Sequence, residues 1–471
     1  MMSTLINLGY LIAAIFFVLG IKGMTSPKTA VKGNQLAAFG MFIAVIAALF
    51  ERNVISYEWI VLGLFIGTVI GVIMAKRVAM TGMPELVATL NGVGGGASLL
   101  VAVASYIESQ QLAAANPDYV ATYSWSIAAI ASILMGAITF SGSFVAVGKL
   151  QGRINDPKSI TLYKLGVKLF FLALAVGSVY FVAGDTLNSN ELLIGLVVVC
   201  LLLGVFLVMP IGGADMPVVV ALLNSYSGVA AAATGFVLGN NGLIITGALI
   251  GASGLILTTI MCKAMNRSLA NVLFGGSMAA AAGISKSEND AFYAGKIKNS
   301  SADEIAMLLD SAQKVVIVPG YGLAVAQAQH ATREMAALLE AKGIDVKYAI
   351  HPVAGRMPGH MNVLLAEAEV PYDQLIEMDH INPEFPQTDV VLVLGANDVV
   401  NPAASKDPQS PIYGMPILDV HLAKTVVVVK RGLAPGFAGI PNELFIRDNA
   451  LMVPGDAKKV LQEMSAALKD M

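Results

Sequence analysis

The chain has 471 residues, of which 56% are hydrophobic and only 13% charged, with a formal net charge of -3. A soluble domain carries roughly 25% charged residues, so the composition excludes a wholly soluble protein, and the slight negative charge disfavours an anionic partner such as nucleic acid. The apolar excess runs from Leu5 to Cys262, and ordinary soluble composition begins at Lys263. The two cysteines, Cys200 and Cys262, sit in apolar runs and fit buried small hydrophobes rather than a disulfide or metal motif.

A membrane-spanning helix needs about 20 mostly apolar residues. Nine segments qualify or nearly so, at roughly 5–21, 36–50, 57–75, 84–107, 124–148, 165–183, 191–208, 216–238 and 243–262. They predict a polytopic α-helical membrane domain over residues 1–262. The first run follows Met1 without a basic n-region or a small-residue cleavage site, so it reads as a retained span. Basic residues cluster in alternate loops: Lys22, Lys28 and Lys32; Lys76 and Arg77; Lys149, Arg153, Lys158 and Lys164; Lys263 and Arg267. Only Arg52 lies on the other side. The positive-inside rule then predicts an outside N-terminus and a cytosolic C-terminal domain. Gly63, Gly67 and Gly71 in the third span, and Gly247 and Gly251 in the ninth, form GxxxG patterns that suit close helix packing.

Two spans begin alike. Met83-Pro84-Glu85-Leu86-Val87-Ala88-Thr89-Leu90-Asn91 and Met216-Pro217-Val218-Val219-Val220-Ala221-Leu222-Leu223-Asn224 both read M-P-x-x-V-A-x-L-N, with proline where it starts a helix. Asn91 and Asn224 each fall about 10 Å into the helix at ~1.5 Å per residue, as two equivalent polar positions facing a shared interior. Asn224-Ser225-Tyr226-Ser227 is the densest polar cluster within a span, and it reads either as interhelical hydrogen bonding or as part of a wet path. Asp215 and Glu85 sit at helix starts, where a carboxylate either complements the helix dipole or accepts protons at the mouth of a path. No histidine lies in the membrane part; all five are in the last third.

Residues 263–310 read as a linker, with a flexible Gly/Ala/Ser/Asn-rich tether over 275–300. Residues 311–471 read as an α/β Rossmann-like domain with a mainly parallel sheet. Lys314–Pro319 is an apolar strand entering Gly320-Tyr321-Gly322-Leu323-Ala324-Val325, followed by a helix to about Glu340 and a second strand over 345–350. This is a βαβ unit opening on G-x-G-x-x-V, which allows a tight turn and close approach to phosphate at a helix N-terminus. After the second strand comes His351-Pro352-Val353-Ala354-Gly355-Arg356. A carboxylate for a ribose 2′-hydroxyl is missing there and an arginine is present, which favours a 2′-phosphorylated cofactor, with a surface ion pair as the plainer reading. A strand over 389–394 delivers Gly395-Ala396-Asn397-Asp398, and one over 425–429 delivers Lys430-Arg431-Gly432 and Gly436-Phe437-Ala438-Gly439. Lys430 and Arg431 suit a phosphate clamp, and Asp398 suits a hydrogen bond to cofactor or protonation sensing.

GYGLAVAQAQ at 320–329, HPVAGRMPGHMNVLLAEA at 351–368, GANDVVNPAA at 395–404, GGADMPVVVALLNSYSG at 212–228 and IMCKAMNRS at 260–268 together resemble the beta subunit of proton-translocating NAD(P) transhydrogenase, over essentially the whole chain. The resemblance implies that this chain binds NADP(H), that a separate alpha subunit binds NAD(H) and adds the remaining spans, and that direct hydride transfer is coupled to proton translocation. It also implies a dimer of the heteromeric unit in a bacterial inner membrane. By the resemblance, Gly320 to Val325 approach the pyrophosphate, Arg356 binds phosphate, and Lys430 and Arg431 hold the 2′-phosphate within a loop that lids the cofactor. Gly395, Ala396, Asn397 and Asp398 lie near the nicotinamide, and Asp215 couples the two domains. Two departures stand out. Asn91 replaces a membrane histidine of some members, so a partner chain is expected to supply one, and Phe437 replaces a tyrosine. An NADP(H)-gated ion channel or transporter without redox chemistry is the alternative reading; a quinone-linked reductase lacks any supporting constellation.

Overall fold

The computed structural model describes residues 2–50, 57–116, 122–154, 160–183, 190–274 and 286–471. Arg52, Lys158 and the Gly275-Gly276 start of the expected tether lie outside the described residues. The chain divides into two compact units, residues 1–211 with 218–258 and residues 212–217 with 259–471.

The apolar half is built from α1 (Met2–Met24), α2 (Pro27–Leu49), α3 (Tyr57–Arg77), α4 (Met83–Ala115), α5 (Tyr123–Leu150), α6 (Ile160–Ala183), α7 (Asn190–Val208), α8 (Met216–Leu238) and α9 (Asn241–Ala264). Among the described residues eight of these are long and apolar enough to cross a membrane, and α6 carries the shorter apolar stretch Leu165–Gly177. The chain is a multi-pass membrane protein. Two helices exceed the expected spans. α2 begins at Pro27, because proline in a first turn forfeits no hydrogen bond, whereas Lys28 and Lys32 mask this turn from hydropathy. α4 continues past residue 107 to Ala115 because Glu108, Gln110, Gln111 and Leu112 are good helix formers uninterrupted by glycine or proline.

Small residues decide which helices touch. A Cβ on Gly136 of α5 would stand 2.6 Å from the Gly95 carbonyl of α4. One on Gly247 of α9 would stand 2.3 Å from the Ala232 amide nitrogen of α8. The α3 glycines behave differently: no residue of α3 is buried, and a Cβ at Gly63, Gly67 or Gly71 would meet nothing within 4 Å. Of the two expected GxxxG motifs, then, only that of α9 packs within the described chain. The expected repeat has a structural counterpart, since a single 3-10 turn precedes each Met-Pro helix start, Met80–Gly82 before α4 and Gly213–Asp215 before α8.

The second unit contains six parallel strands in the order β3-β2-β1-β4-β5-β6. They are β1 (Lys314–Pro319), β2 (Asp345–Ile350), β3 (Leu375–Glu377), β4 (Val390–Leu394), β5 (Thr425–Lys430) and β6 (Ala450–Pro454). Their valine-rich runs are covered on both faces, and every residue of β4 is buried, as parallel sheets require. β3 and β6 were not legible in the sequence, being three and five residues long without a β-branched run. The glycine motif itself adds a short helix, Tyr321–Val325, and the helix expected after Gly320–Val325 and ending near Glu340 is Gln329–Ala341. Gln327 takes φ +48°, and the Ala328 amide donates to the Leu323 carbonyl, which ends the first helix as a left-handed C-terminal cap does.

Much of the expected linker is ordered structure. Lys286–Tyr293 is a helix, Asn299 bridges to Met452 in β6, and Ala302–Asp310 is a helix capped reciprocally by Ser301 and Glu304. Ile305 and Leu309 of that helix are fully buried. Residues rich in Ser and Asn signal caps as well as flexibility, and here they cap.

Candidate functional site

The strand order reverses between β1 and β4, and in open parallel sheets ligands bind in the crevice at that point, beyond the carboxyl ends of the strands. The two loops meet there through glycines. The Gly320 amide donates to the Leu394 carbonyl at 2.9 Å and the Gly322 amide to the Gly395 carbonyl at 3.0 Å. A Cβ on Gly320 would stand 2.4 Å from Ala396 Cα, and Gly395 has φ +66° with its own Cβ position 2.4 Å from Gly322 Cα. In this structure the G-x-G pair fits two backbones together. Leu323 and Ala324 are buried behind the turn, while Val325 is exposed.

The loop after β2 joins the same crevice. The Arg356 guanidinium lies over the Tyr321 ring, 4.5 Å from its centroid, a cation–π arrangement that parks the cation against the glycine turn. Two buried histidines shape the loop. His351 Nδ1 accepts the Val353 amide at 3.2 Å, and its Nε2 lies 2.9 Å from the Pro416 carbonyl. A carbonyl only accepts, so the ring is neutral with its proton on Nε2; burial pushes its pKa down to about 4. His360 Nδ1 accepts the Arg356 amide at 3.1 Å, and Gly355, at φ +109°, leaves room for that ring. Val353 and Ala354 are buried beneath this turn.

The loop after β5 folds over the loop after β4. Asp398 is 2% exposed, and its carboxylate accepts the Ala438 amide at 3.1 Å as well as that of Phe437. Gly436 presses on the carboxylate so closely that a Cβ would stand 2.2 Å from Oδ2. Burial pushes Asp398 up to about 6, against the two amides and Lys430. With its carboxamide turned so that the oxygen faces donors, Asn397 accepts from Lys430 Nζ at 2.8 Å and from the Gly436 amide at 2.9 Å. Lys430 also donates to the Ala434 carbonyl at 2.5 Å, and burial pushes its pKa down to about 8 against the pull of Asp398. Arg431 and Gly432 are exposed at the loop's start. Cationic side chains and fitted glycine turns surround the crevice, an arrangement that suits a dinucleotide.

Several polar residues of the membrane half are hydrogen-bonded between helices, while Thr139, Ser141 and Thr258 bond back within their own. Asn91 Nδ2 donates to the Val220 carbonyl of α8 at 3.3 Å, one turn before Asn224, so the two motif copies face one another. Asn224 is itself half-buried. Ser225 Oγ donates to the Gly251 carbonyl at 2.7 Å, and Tyr226 packs against the core of α4, α5 and α7. Ser132, fully buried on α5, pairs with Thr234 of α8 at 2.7 Å and reaches the Ser98 carbonyl of α4 at 3.3 Å. Isolated serines and threonines in apolar runs carry no distinguishing signal, and the sequence reading missed this cluster.

Asp215 is fully buried and paired with Arg267 Nη1 at 2.6 Å. Burial pushes the carboxyl up to about 6, partly offset by the Arg267 charge and hydrogen bond. Arg267, one of the basic loop residues that set the orientation, pairs with Asp215 and so links residues on either side of α8 and α9. Next to it, Asn266, at φ +49°, donates to the Tyr413 carbonyl at 2.6 Å.

A family model described as the NAD(P) transhydrogenase beta subunit matches residues 6–467. The chain is similar to the NAD(P) transhydrogenase subunit beta of Rhodospirillum rubrum, 47% identical over 475 residues that cover 99% of this chain and 100% of the relative. The same subunit from a designated strain of that species matches with the same identity and coverage.

Proposed function

The chain belongs to the NAD(P) transhydrogenase beta subunit family, and from that premise we propose that it binds NADP(H) in the crevice between β1 and β4. An alpha partner carries NAD(H). When both are bound, the two nicotinamides would supply direct hydride exchange, NADH + NADP⁺ ⇌ NAD⁺ + NADPH. The observation that carries the reading is the cation set around fitted glycine turns, with Arg356 on Tyr321 and Lys430 on Asn397. Gly320 to Val325 line the pyrophosphate side with Val353 to Arg356. Lys430, Arg431 and Gly432 hold the 2′-phosphate, and Gly395 to Asp398 with Gly436, Phe437 and Ala438 enclose the nicotinamide half.

Hydride transfer between nicotinamides of similar potential releases little free energy, so proton movement must couple to cofactor binding and release. Asp398 positions the loop through the Phe437 and Ala438 amides, and its raised pKa suits it to sense protonation. Asn91, Asn224, Ser225 and Tyr226 line the membrane side of the coupling, with a histidine from the partner, and Asp215 with Arg267 transmits it. The complex is a dimer of the heteromeric unit in a bacterial inner membrane, with the N-terminus outside and the second unit cytosolic.

The test is hydride exchange between NADH and an NADP analogue in vesicles, with and without the partner subunit. Exchange that needs the partner and acidifies or alkalinises the lumen is expected. Ion flux gated by NADP(H) without exchange would favour a channel and overturn the proposal.

A further inference from the structure

The helix Lys286–Tyr293 lies outside every site assigned so far, yet two of its side chains reach the loop that follows β5. Asn289, 4% exposed, donates from Nδ2 to the Leu433 carbonyl at 3.0 Å. Tyr293, 3% exposed, accepts the Asn442 amide on its hydroxyl at 2.6 Å. Residues four apart share one helix face, so a single face grips residues 433–442 at both ends.

The contacts reach further into the crevice. The Tyr293 ring stacks on Phe445 with centroids 6.1 Å apart, and Lys430 Nζ lies 5.2 Å from the Phe445 centroid. Asn442 Nδ2 donates to the Asn397 carbonyl at 3.0 Å. Asn289 Oδ1 is buried without a hydrogen-bond partner among the described residues. A buried polar atom left unpaired is costly, so asparagine is a poor choice for packing alone and must be judged by its bond to Leu433.

We infer that Asn289 and Tyr293 are positioning residues that clamp the 433–442 loop over the nicotinamide cofactor and set how fast the cofactor leaves. The inference rests on the NADP(H) reading above. Removing the Tyr293 hydroxyl leaves the Asn442 amide unpaired while the ring still stacks on Phe445. The closed loop then loses stability relative to an open one, and release quickens while hydride chemistry is untouched.

The test uses the purified full-length chain as wild type, Tyr293→Phe and Asn289→Leu. NADPH dissociation is followed by its fluorescence on dilution into excess NADP⁺, alongside the melting midpoint without ligand and, with the partner subunit, KM for NADH. Dissociation is expected to quicken about tenfold in both variants, a factor that corresponds to one modest interaction, with KM for NADH within about twofold of wild type. Asn289→Leu also removes the unpaired oxygen, and an unchanged melting midpoint in this variant separates loop positioning from folding. Dissociation within about threefold of wild type in both variants overturns the inference, and dissociation quickened beyond that in either supports it. A wild-type chain that fails to bind NADPH overturns the NADP(H) reading instead.

Discussion

The two halves of this chain use apolar residues for opposite purposes. In α3 no residue is buried, and Trp59 and Phe65 are 74% and 67% exposed. In β4 every residue is buried. Both segments are strongly apolar, but the first, a candidate membrane span, is left uncovered by the rest of the described chain, while the second is buried away from water. Hydrophobicity therefore places a helix in the bilayer without choosing the face that packs. In the membrane half that choice falls to glycines and small polar residues, as at Gly247 and Ser132. In the water-exposed half burial itself selects the core, and charges are what the fold must accommodate.

Arg267→Ala should break this division most severely, because it strands the buried Asp215 carboxylate. Removing one partner of a buried ion pair costs roughly 3–5 kcal/mol. A melting midpoint well below wild type and proton-linked turnover down at least about tenfold are expected, with partial recovery of stability when Asp215→Asn is added. Wild-type melting in the single variant would show the pair to be dispensable.

Glycine substitutions sharpen the comparison within the membrane half. Gly247→Ala places a methyl 2.3 Å from the Ala232 amide nitrogen, and overpacking of this kind costs roughly 1–3 kcal/mol. Gly67→Ala meets nothing within 4 Å in this chain, so only its helix propensity changes, a gain of up to about 1 kcal/mol. Detergent denaturation of the chain without its partner should separate the two; equal losses would mean α3 packs as tightly as α9.

The loop charges offer a milder test. Burial holds Lys430 at about 8 where an ordinary lysine titrates at 10.5. Above about 8 the free protein has lost that proton, while a bound phosphate favours the charged form. Binding then takes up a proton, so NADPH affinity should fall as pH rises through 8, by at most about tenfold per pH unit. Lys430→Arg keeps the charge and should flatten the profile measured by fluorescence titration; an unchanged slope would assign the titration elsewhere. The smallest effect is expected from Lys469→Ala. Its 2.8 Å pair with Glu334 joins two side chains that are each about half exposed, and such pairs contribute about 0–1 kcal/mol. A calorimetric midpoint shifted by several degrees would contradict that.

The nine apolar segments, the repeat at Asn91 and Asn224 and four of the six strands were legible because hydropathy and strand period are local properties. So were the glycine turn at 320–322, Arg356 and the pair Lys430-Arg431, since each lies at or within a few residues of a strand's carboxyl end. The tether was misjudged in part because composition alone cannot separate a short helix, such as Lys286–Tyr293, from a flexible segment. His351 and His360 were present in the quoted motifs, but nothing in their spacing says that each imidazole accepts a backbone amide of the Arg356 turn.

By itself the sequence determined the membrane and sheet-forming halves, the loops at the strand ends and the family. Tertiary structure alone decided that Arg267 neutralises Asp215, 52 residues away, and that Tyr293 braces Asn442, 149 residues away. It also decided that Gly436 seals Asp398 from water. Patterns along the chain report which residues avoid water, whereas pairing between distant polar groups depends on which backbones the packed core brings together.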